Sequence, residues 1–567
     1  MNNFKKIVIC AALKASIVLV SNSVVAAASS GDTALSYEDG IVASKIRNEG
    51  IRNSEVSSIL YNLSDVIGAR LTGSKQLKQA NDWTATKLKS FGLDNVRVTP
   101  YEFGRGWDFS HSAVHMITPT KSPVLALPYA WTAGTNGAQS GDAMIVDIQS
   151  KDDFEKYEGK LSGKILFLDK KRKIVHAPFK KVSIAGAYRF TDEQLAIISE
   201  YDIEFEKEQA IDESPVLAGI WKETTEPSDE EREDYIFRKD AEAFFLEEGV
   251  LATVRISRYD MGLIVGGGVV LRNNDLVPVT ALNMASEHYN RVIRLLENDI
   301  PVRLEIDVRA EILLSGPAHN TFAEIKGSKG SKEIVMVGAH LDSWHVGTGA
   351  SDNGAGVAIT MEAMRILKSL NIRPKRTIRL ALWGGEEQEA RVYNNFYLGS
   401  GAFADKNIGT LHPASKDEEK YPQILRKRNL ALQLKEGQRK ISAYYNIDNG
   451  SGRIRGIWAQ DNHAAALMFR KWFEPFADLG ANTVTSRSTY GTDHIPFDLF
   501  GIPGFQFIQD SLEYESHLHH TNMDVVDHAS EADMKQAASI LAFFLYKTSM
   551  LDEIIPRKGL RNSSYSE

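Results

Sequence analysis

The sequence predicts an α/β protein: a mostly parallel mixed sheet flanked by helices, with a β-rich domain inserted into it. Three observations carry that prediction. Strand-like and helix-like periodicities alternate regularly after about residue 310. Before that, over 123–305, short β-rich pieces are separated by turns. The chain also has 567 residues, more than one hydrophobic core usually organises. Its composition, 43% hydrophobic and 25% charged, excludes collagen-like and disordered classes.

Taken in order, residues 1–28 read as a secretory leader. Lys5 and Lys6 make a positive start, Ile7 to Val25 is apolar apart from Lys14 and small polar residues, and Ala26, Ala27 and Ala28 offer a cleavage site. A membrane anchor is the competing reading, but Lys14 splits the run well short of the roughly 20 residues a spanning helix needs. No later segment is apolar for long enough to cross a bilayer, so a secreted or periplasmic protein is expected. The one cysteine, Cys10, falls inside the leader. The mature chain is therefore expected to lack disulfides, thiol nucleophiles and thiolate ligands, which suits a bacterial periplasm or medium better than an animal extracellular space. A formal charge of −8, made more negative by loss of the leader's lysines, argues against a nucleic-acid partner.

Residues 29–122 are expected to open the main domain. Ser54 to Leu93 reads helical, with Ile59, Leu60, Leu63, Val66 and Ile67 on one face and a second run through Trp83, Leu88 and Phe91. A strand over Asn95 to Tyr101 follows. The inserted domain, 123–305, is marked by SPVLALPYAW, GDAMIVDIQ and GKILFLDKK. Within it, about 175–245 is charged and helix-favouring, and its run Glu226 to Asp234 reads as a solvated insertion. The main domain resumes over 306–567. Strands KEIVMVGAHLD, TIRLALWGG, ISAYYNID and PGFQFIQD alternate with a helix from about Gly354 and another over NHAAALMFRKWFEPF. Ligands of such sheets bind at the carboxyl ends of the strands.

The chemistry-bearing residues fall there. His340 and Asp342 stand two apart past a hydrophobic strand, and Asp352 follows in the glycine-rich SDNGAG. Imidazole and carboxylate donors suit zinc, and a carboxylate bonded to a ligand histidine fixes its tautomer, the natural task for Asp342. Either fragment alone reads better as a polar strand end or a helix cap, and only the two together at this spacing favour a metal. Glu386 and Glu387 end the strand TIRLALW. Neighbours in an extended strand face opposite ways, so one can bind metal while the other reaches a water. Asp448 ends another strand. His517, His519 and His520 cluster in HLHHTNMD, and chemistry does not choose among them. Asp493 and His494 sit in a loop, TYGTDHIPFDLFGIPGF, that lines the same crevice.

The series GAHLD, SDNGAG, GGEEQ, NIDNG and HHTNMD resembles, in this order, the co-catalytic zinc peptidases that include bacterial leucyl aminopeptidases and glutamate carboxypeptidases. RLTGSKQLKQANDWTATKLKSFGLDNVRVTPYEF resembles the segment before the inserted domain in plasma glutamate carboxypeptidase-like members. LPYAWTAGTNG and ALNMASEHYNRVIRLLENDIPVRLEIDV resemble their protease-associated domain. The resemblance covers most of residues 50–550. It implies a zinc exopeptidase fold with two zinc ions per chain, one held by His340 and Asp448, the other by Glu387 and His520, with Asp352 bridging. Glu386 would be the general base and Asp342 the residue orienting His340. His520 is chosen because the last ligand in relatives precedes a T-x-x-D stretch, here Thr521 to Asp524. The peptide bond after Asp352 would be cis. Tyr490 resembles a tyrosine that stabilises the oxyanion in some relatives. A peptide substrate and, as in many relatives, a homodimer are implied.

Two stretches depart from the family pattern, EARVYNNFYLGSG after the glutamates and about 411–440, so substrate preference does not carry over. Aminopeptidase, dipeptidase and carboxypeptidase activities remain open. Two rival functions are a glutaminyl cyclase of the same fold and a binding protein on an inactive peptidase scaffold. The β-rich insertion and the intact ligand set count against the first, and the presence of all six expected ligand and base residues counts against the second. A Ser-His-Asp hydrolase lacks the expected G-x-S-x-G elbow.

Overall fold

The computed structural model describes residues 35–174, 188–200, 228–328, 332–388, 397–413, 415–421, 425 and 427–559. The expected leader lies outside the described residues, as do 175–187 and 201–227 of the charged insertion and 389–396 after the glutamates.

The larger body is built on one eight-stranded sheet. Its order is Asp94–Tyr101, Ala318–Ile325, Thr377–Trp383, Ile334–His340, Ile441–Asn446, Gly504–Gln509, Ile454–Trp458 and Thr483–Thr485. The four middle strands are parallel to one another. They are the four hydrophobic runs that the sequence singles out. The antiparallel strands Ala318–Ile325 and Ile454–Trp458 flank them, making the sheet mixed. Both faces are covered, so side chains of the middle strands alternate between two apolar layers. Val335, Val337, Ala339, Ile378, Leu380, Leu382 and Tyr445 enter a core with the helices Ala355–Ser369 and Glu531–Met550. Met336, Ala381, Trp383 and Tyr444 enter the opposite layer, where Tyr444 stacks on Phe497 with ring centroids 4.1 Å apart.

The helical reading of Ser54 to Leu93 breaks in the middle. A short helix Val56–Tyr61 runs into a wider turn Asn62–Ile67, and the next helix, Lys75–Ser90, starts only after Ser74 caps it with its hydroxyl on the Leu77 N–H. Gly68 ends the first piece at φ 87°, a left-handed conformation open to glycine at little cost.

A second eight-stranded sheet runs Ser122–Pro123, Arg105–Thr118, Arg303–Ser315, Gln139–Ile145, Ile165–Phe167, Ala252–Ile256, Thr280–Met284 and Ala126–Pro128. Its two long strands, Arg105–Thr118 and Arg303–Ser315, pair antiparallel and reach beyond 123 and 305 at either end. The charged stretch forms the helix Asp229–Glu247, capped by Ser228 and Glu231. It is not solvated on every side. Arg232 is buried, bonds the Glu418 carboxylate and lies over the Tyr421 ring, both from the 411–440 stretch. That stretch contributes the hairpin Gly409–Pro413 with Arg428–Leu434.

Candidate metal centre

Three strand ends and two loops bring the expected ligands together at the carboxyl edge of the parallel strands. His340 is the last residue of Ile334–His340, and Asp448 lies two residues beyond Ile441–Asn446. His340 Nε2 is 3.1 Å from Asp448 Oδ1 and 3.2 Å from Asp352 Oδ1. The other oxygen of Asp352, Oδ2, is 3.3 Å from His520 Nε2, which is 2.8 Å from Glu387 Oε2. Asp352 thus stands between two histidines. The bond between Asp352 and Asn353 is cis.

Glu386 and Glu387 do not sit in extended strand, so alternation along a strand does not separate them. The strand ends at Trp383, and Gly385, at φ 72°, turns the chain before the pair. Asp342 holds this turn: its Oδ1 accepts the Glu386 N–H and its Oδ2 the Glu387 N–H, each at 3.2 Å. The same carboxylate lies 3.6 Å from His340 Nδ1, whose nearer partner is the Asp342 carbonyl at 3.1 Å. Asp342 therefore addresses both the histidine and the glutamate turn.

Further residues, outside the expected set, support these. Asp524 accepts the Ser351 and Asp352 N–H groups at 2.6 and 3.0 Å, fixing the backbone of the bridging aspartate. The T-x-x-D pattern carried that signal. Arg70 is fully buried and donates to the carbonyls of Leu63, Gly68, Leu341, Thr348 and Gly349. Its guanidinium is a buried positive charge near the acidic group. Burial lowers its pKa to about 10, against the upward pull of Asp524, Asp342, Asp352 and Glu387. Under Asp448 runs a buried chain of donors: Trp383 Nε1 to Tyr444 OH (2.8 Å), Tyr444 OH to Asn446 Oδ1 (2.6 Å), Asn446 Nδ2 to Thr492 Oγ1 (2.9 Å), and Thr492 Oγ1 to Asp448 Oδ2. Each bond polarises the next and orients the final carboxylate.

The electrostatics are those of a cation site. Burial, reinforced by acidic neighbours, pushes the Glu386 and Glu387 carboxyls well above the usual range. Asp524 is raised to about 7 by burial and by Asp352. Burial opposes the charged form of His340, yet Asp448, Asp342 and Asp352 together raise it well above the ordinary imidazole value. Glu387 Oε1 is buried with no hydrogen-bond partner. A cavity of about 10 Å³ opens between Trp344, Asp352, Glu387 and His520. The nitrogen and oxygen donors fit zinc, and a dication answers the crowding of carboxylates. Donor atoms of His340, Asp352 and Glu387 lie within 4.8 Å of one another, as do those of Asp352, His519 and His520.

The remaining candidates are placed less directly. His519 Nε2 is 3.9 Å from Asp352 Oδ2, farther than His520, and its ring lies 3.8 Å from the His520 ring. His517 turns to Ser516 Oγ at 2.7 Å. Asp493 is buried and accepts the Ser400 hydroxyl, while His494 bonds the Thr489 carbonyl. Tyr490 is half-buried in the loop between them and the strand Thr483–Thr485.

Imidazoles and carboxylates converging at the carboxyl edge of a parallel α/β sheet make a metallohydrolase site. Residues 320–545 match the family model described as Peptidase family M28. It is 24% identical to Carboxypeptidase Q from Bos taurus over 536 residues, 93% of this chain and 91% of that protein. Its fold resembles the crystal structure of a peptidase M28 precursor from Shewanella amazonensis SB2B, with a TM-score of 0.58, 22% identity, and 92% of this chain and 99% of that one covered. It also resembles BSAP, a zinc aminopeptidase from Bacillus subtilis, with a TM-score of 0.51, 16% identity, and coverages of 88% and 95%.

Proposed function

We propose that the chain is a secreted exopeptidase that holds two zinc ions and hydrolyses a peptide bond near a free chain end. The observation that carries this reading is Asp352, whose two oxygens face different histidines at 3.2 and 3.3 Å. A carboxylate shared in that way would suit a site for two metal ions. His340 and Asp448 would hold one, Glu387 and His520 the other. The relative named a zinc aminopeptidase supports the choice of metal. Metal held there would supply Lewis-acid chemistry for hydrolysis.

The chain's own groups do the rest. Glu386, a carboxyl that burial raises well above the ordinary range, accepts a proton from the attacking water and returns it to the leaving amine. Asp342 holds the turn that aims Glu386 and steadies His340. Tyr490 is our candidate donor to the oxyanion. In the same reading residues 1–28 are the leader and 123–305 an inserted domain of protease-associated type. The likeness to Carboxypeptidase Q along 93% of the chain makes a free carboxylate the first end to test.

The test is elemental analysis of the purified protein together with a screen of dipeptides, N-blocked peptides and C-amidated peptides. We expect about two zinc ions per chain and cleavage that depends on one free terminus. An active protein without stoichiometric transition metal sinks the proposal. Cyclisation of an N-terminal glutamine without hydrolysis would move the protein to the cyclase reading.

A further inference from the structure

The loop that carries His520 is held from outside its own sheet. His520 is a non-glycine residue at φ 61°, a conformation that persists only where its surroundings impose it. The surroundings come from the second sheet's body. The Gly266 N–H donates to the His520 carbonyl at 2.7 Å, Val265 and Thr521 form an antiparallel bridge, and the Asn522 N–H donates to the Ile264 carbonyl at 3.0 Å. The Asn522 side chain repeats the link, its Oδ1 accepting the Ile264 N–H at 2.7 Å. The segment is itself anchored: Asn283, in the strand Thr280–Met284, donates from Nδ2 to the Val265 carbonyl at 2.8 Å. A Cβ at Gly266 would stand 2.7 Å from Trp344 Cβ, so only glycine lets the segment come this close.

We propose that residues 264–266 of the second body are a positioning element for His520, with Asn522 and Asn283 as positioning residues, and that this body is thermodynamically coupled to the His520 half of the metal pair. The inference rests on the two-zinc reading. Its chain of cause runs from the strand Thr280–Met284 through Asn283 and Val265 to the backbone of Thr521 and His520, and from there to the imidazole beside Asp352 and Glu387. The inserted body thereby tunes one ion and leaves the His340 and Asp448 side to its own strand ends. Coupling is reciprocal, so zinc must in turn steady residues 264–266.

The test compares wild type with Asn522→Ala, which deletes the acceptor for the Ile264 N–H, and Asn522→Asp, which keeps it. Zinc is titrated back into chelated full-length protein against a chromophoric chelator, and amide hydrogen exchange of 262–267 is followed with and without zinc. We expect two binding steps in wild type, with one weakened roughly three- to tenfold in Asn522→Ala, the worth of one net hydrogen bond. The other step should be unchanged, and Asn522→Asp should lie near wild type. Zinc should slow exchange at 264–266 in wild type and less in Asn522→Ala. Two steps that are equal in wild type and Asn522→Ala, or exchange at 264–266 indifferent to zinc, overturn the coupling alone. A wild type that binds fewer than two ions overturns both the coupling and the two-zinc reading.

Discussion

Glu386 and Glu387 are chemically identical neighbours whose surroundings differ. Both feel His340, but Glu387 lies against His520 and feels Asp352 and Asp342, while Glu386 feels Asp448, its neighbour Glu387 and Asp493. Glu386→Gln keeps size and removes the base, so kcat should fall by roughly 10²–10⁴ with zinc content near wild type. Glu387→Gln should lose zinc, and activity should partly return on adding it. Metal analysis beside steady-state kinetics reads both, and reversed phenotypes would exchange the two roles. The order of motifs made these residues legible in the sequence, because each stands at or just past a hydrophobic run. What the sequence did not carry was the turn at Gly385: alternation along a strand predicts a separation that Asp342 provides instead by holding both N–H groups. Arg70 and the chain from Trp383 to Thr492 also escaped notice, since their partners are backbone carbonyls or residues far away in sequence.

At the scale of elements, the middle strands were legible because burial on both faces writes an unbroken apolar run, whereas the antiparallel strands Ala318–Ile325 and Ile454–Trp458 that flank them were not singled out. The helix Tyr37–Arg52 shows a link that sequence patterning does not reveal. Asp39 closes its capping box with Ser36 and also pairs, at 2.8 Å, with Lys547 of the last helix, Glu531–Met550. Both side chains are buried. Burial alone would raise the Asp39 carboxyl, but Lys547 and the Ser36 N–H hold it below its ordinary value. A lowered carboxyl contributes stability above the unfolded pKa near 4 and loses it as pH falls through the folded value. Asp39→Asn leaves Lys547 buried and unpaired, and should cost about 3–5 kcal/mol, the usual penalty for breaking a buried pair from one side. Lys547→Met added to it should recover part of that loss. Denaturant unfolding at pH 7 measures both. An Asp39→Asn protein as stable as wild type would show that the pair does not brace these two helices.

For the whole molecule, the centre gathers buried acids whose charges crowd one another. Asp493 is pushed up to about 8 and Asp524 to about 7, burial being the largest cause for each, and Glu386 and Glu387 move the same way. An acid whose folded pKa lies above its unfolded value makes the folded state bind more protons, so stability falls as pH rises from the unfolded pKa near 4 through the folded one. These acids make the chelated protein lose stability between pH 5 and pH 8, against the opposite pull of His345, His494 and His519, which burial pushes down to about 4. Zinc reverses the balance, because its ligands must be deprotonated and its affinity grows with pH. Ions present at about 100 times their dissociation constant add about 2.7 kcal/mol per site. The gap in melting temperature between zinc-loaded and chelated protein should accordingly be widest at pH 8 and narrow toward pH 5. Scanning fluorimetry across that range, with zinc or with a chelator, reads the gap. Melting at pH 8 that ignores the chelator would mean that the crowded carboxylates are reconciled by protons and protein dipoles alone, and that no metal holds the centre together.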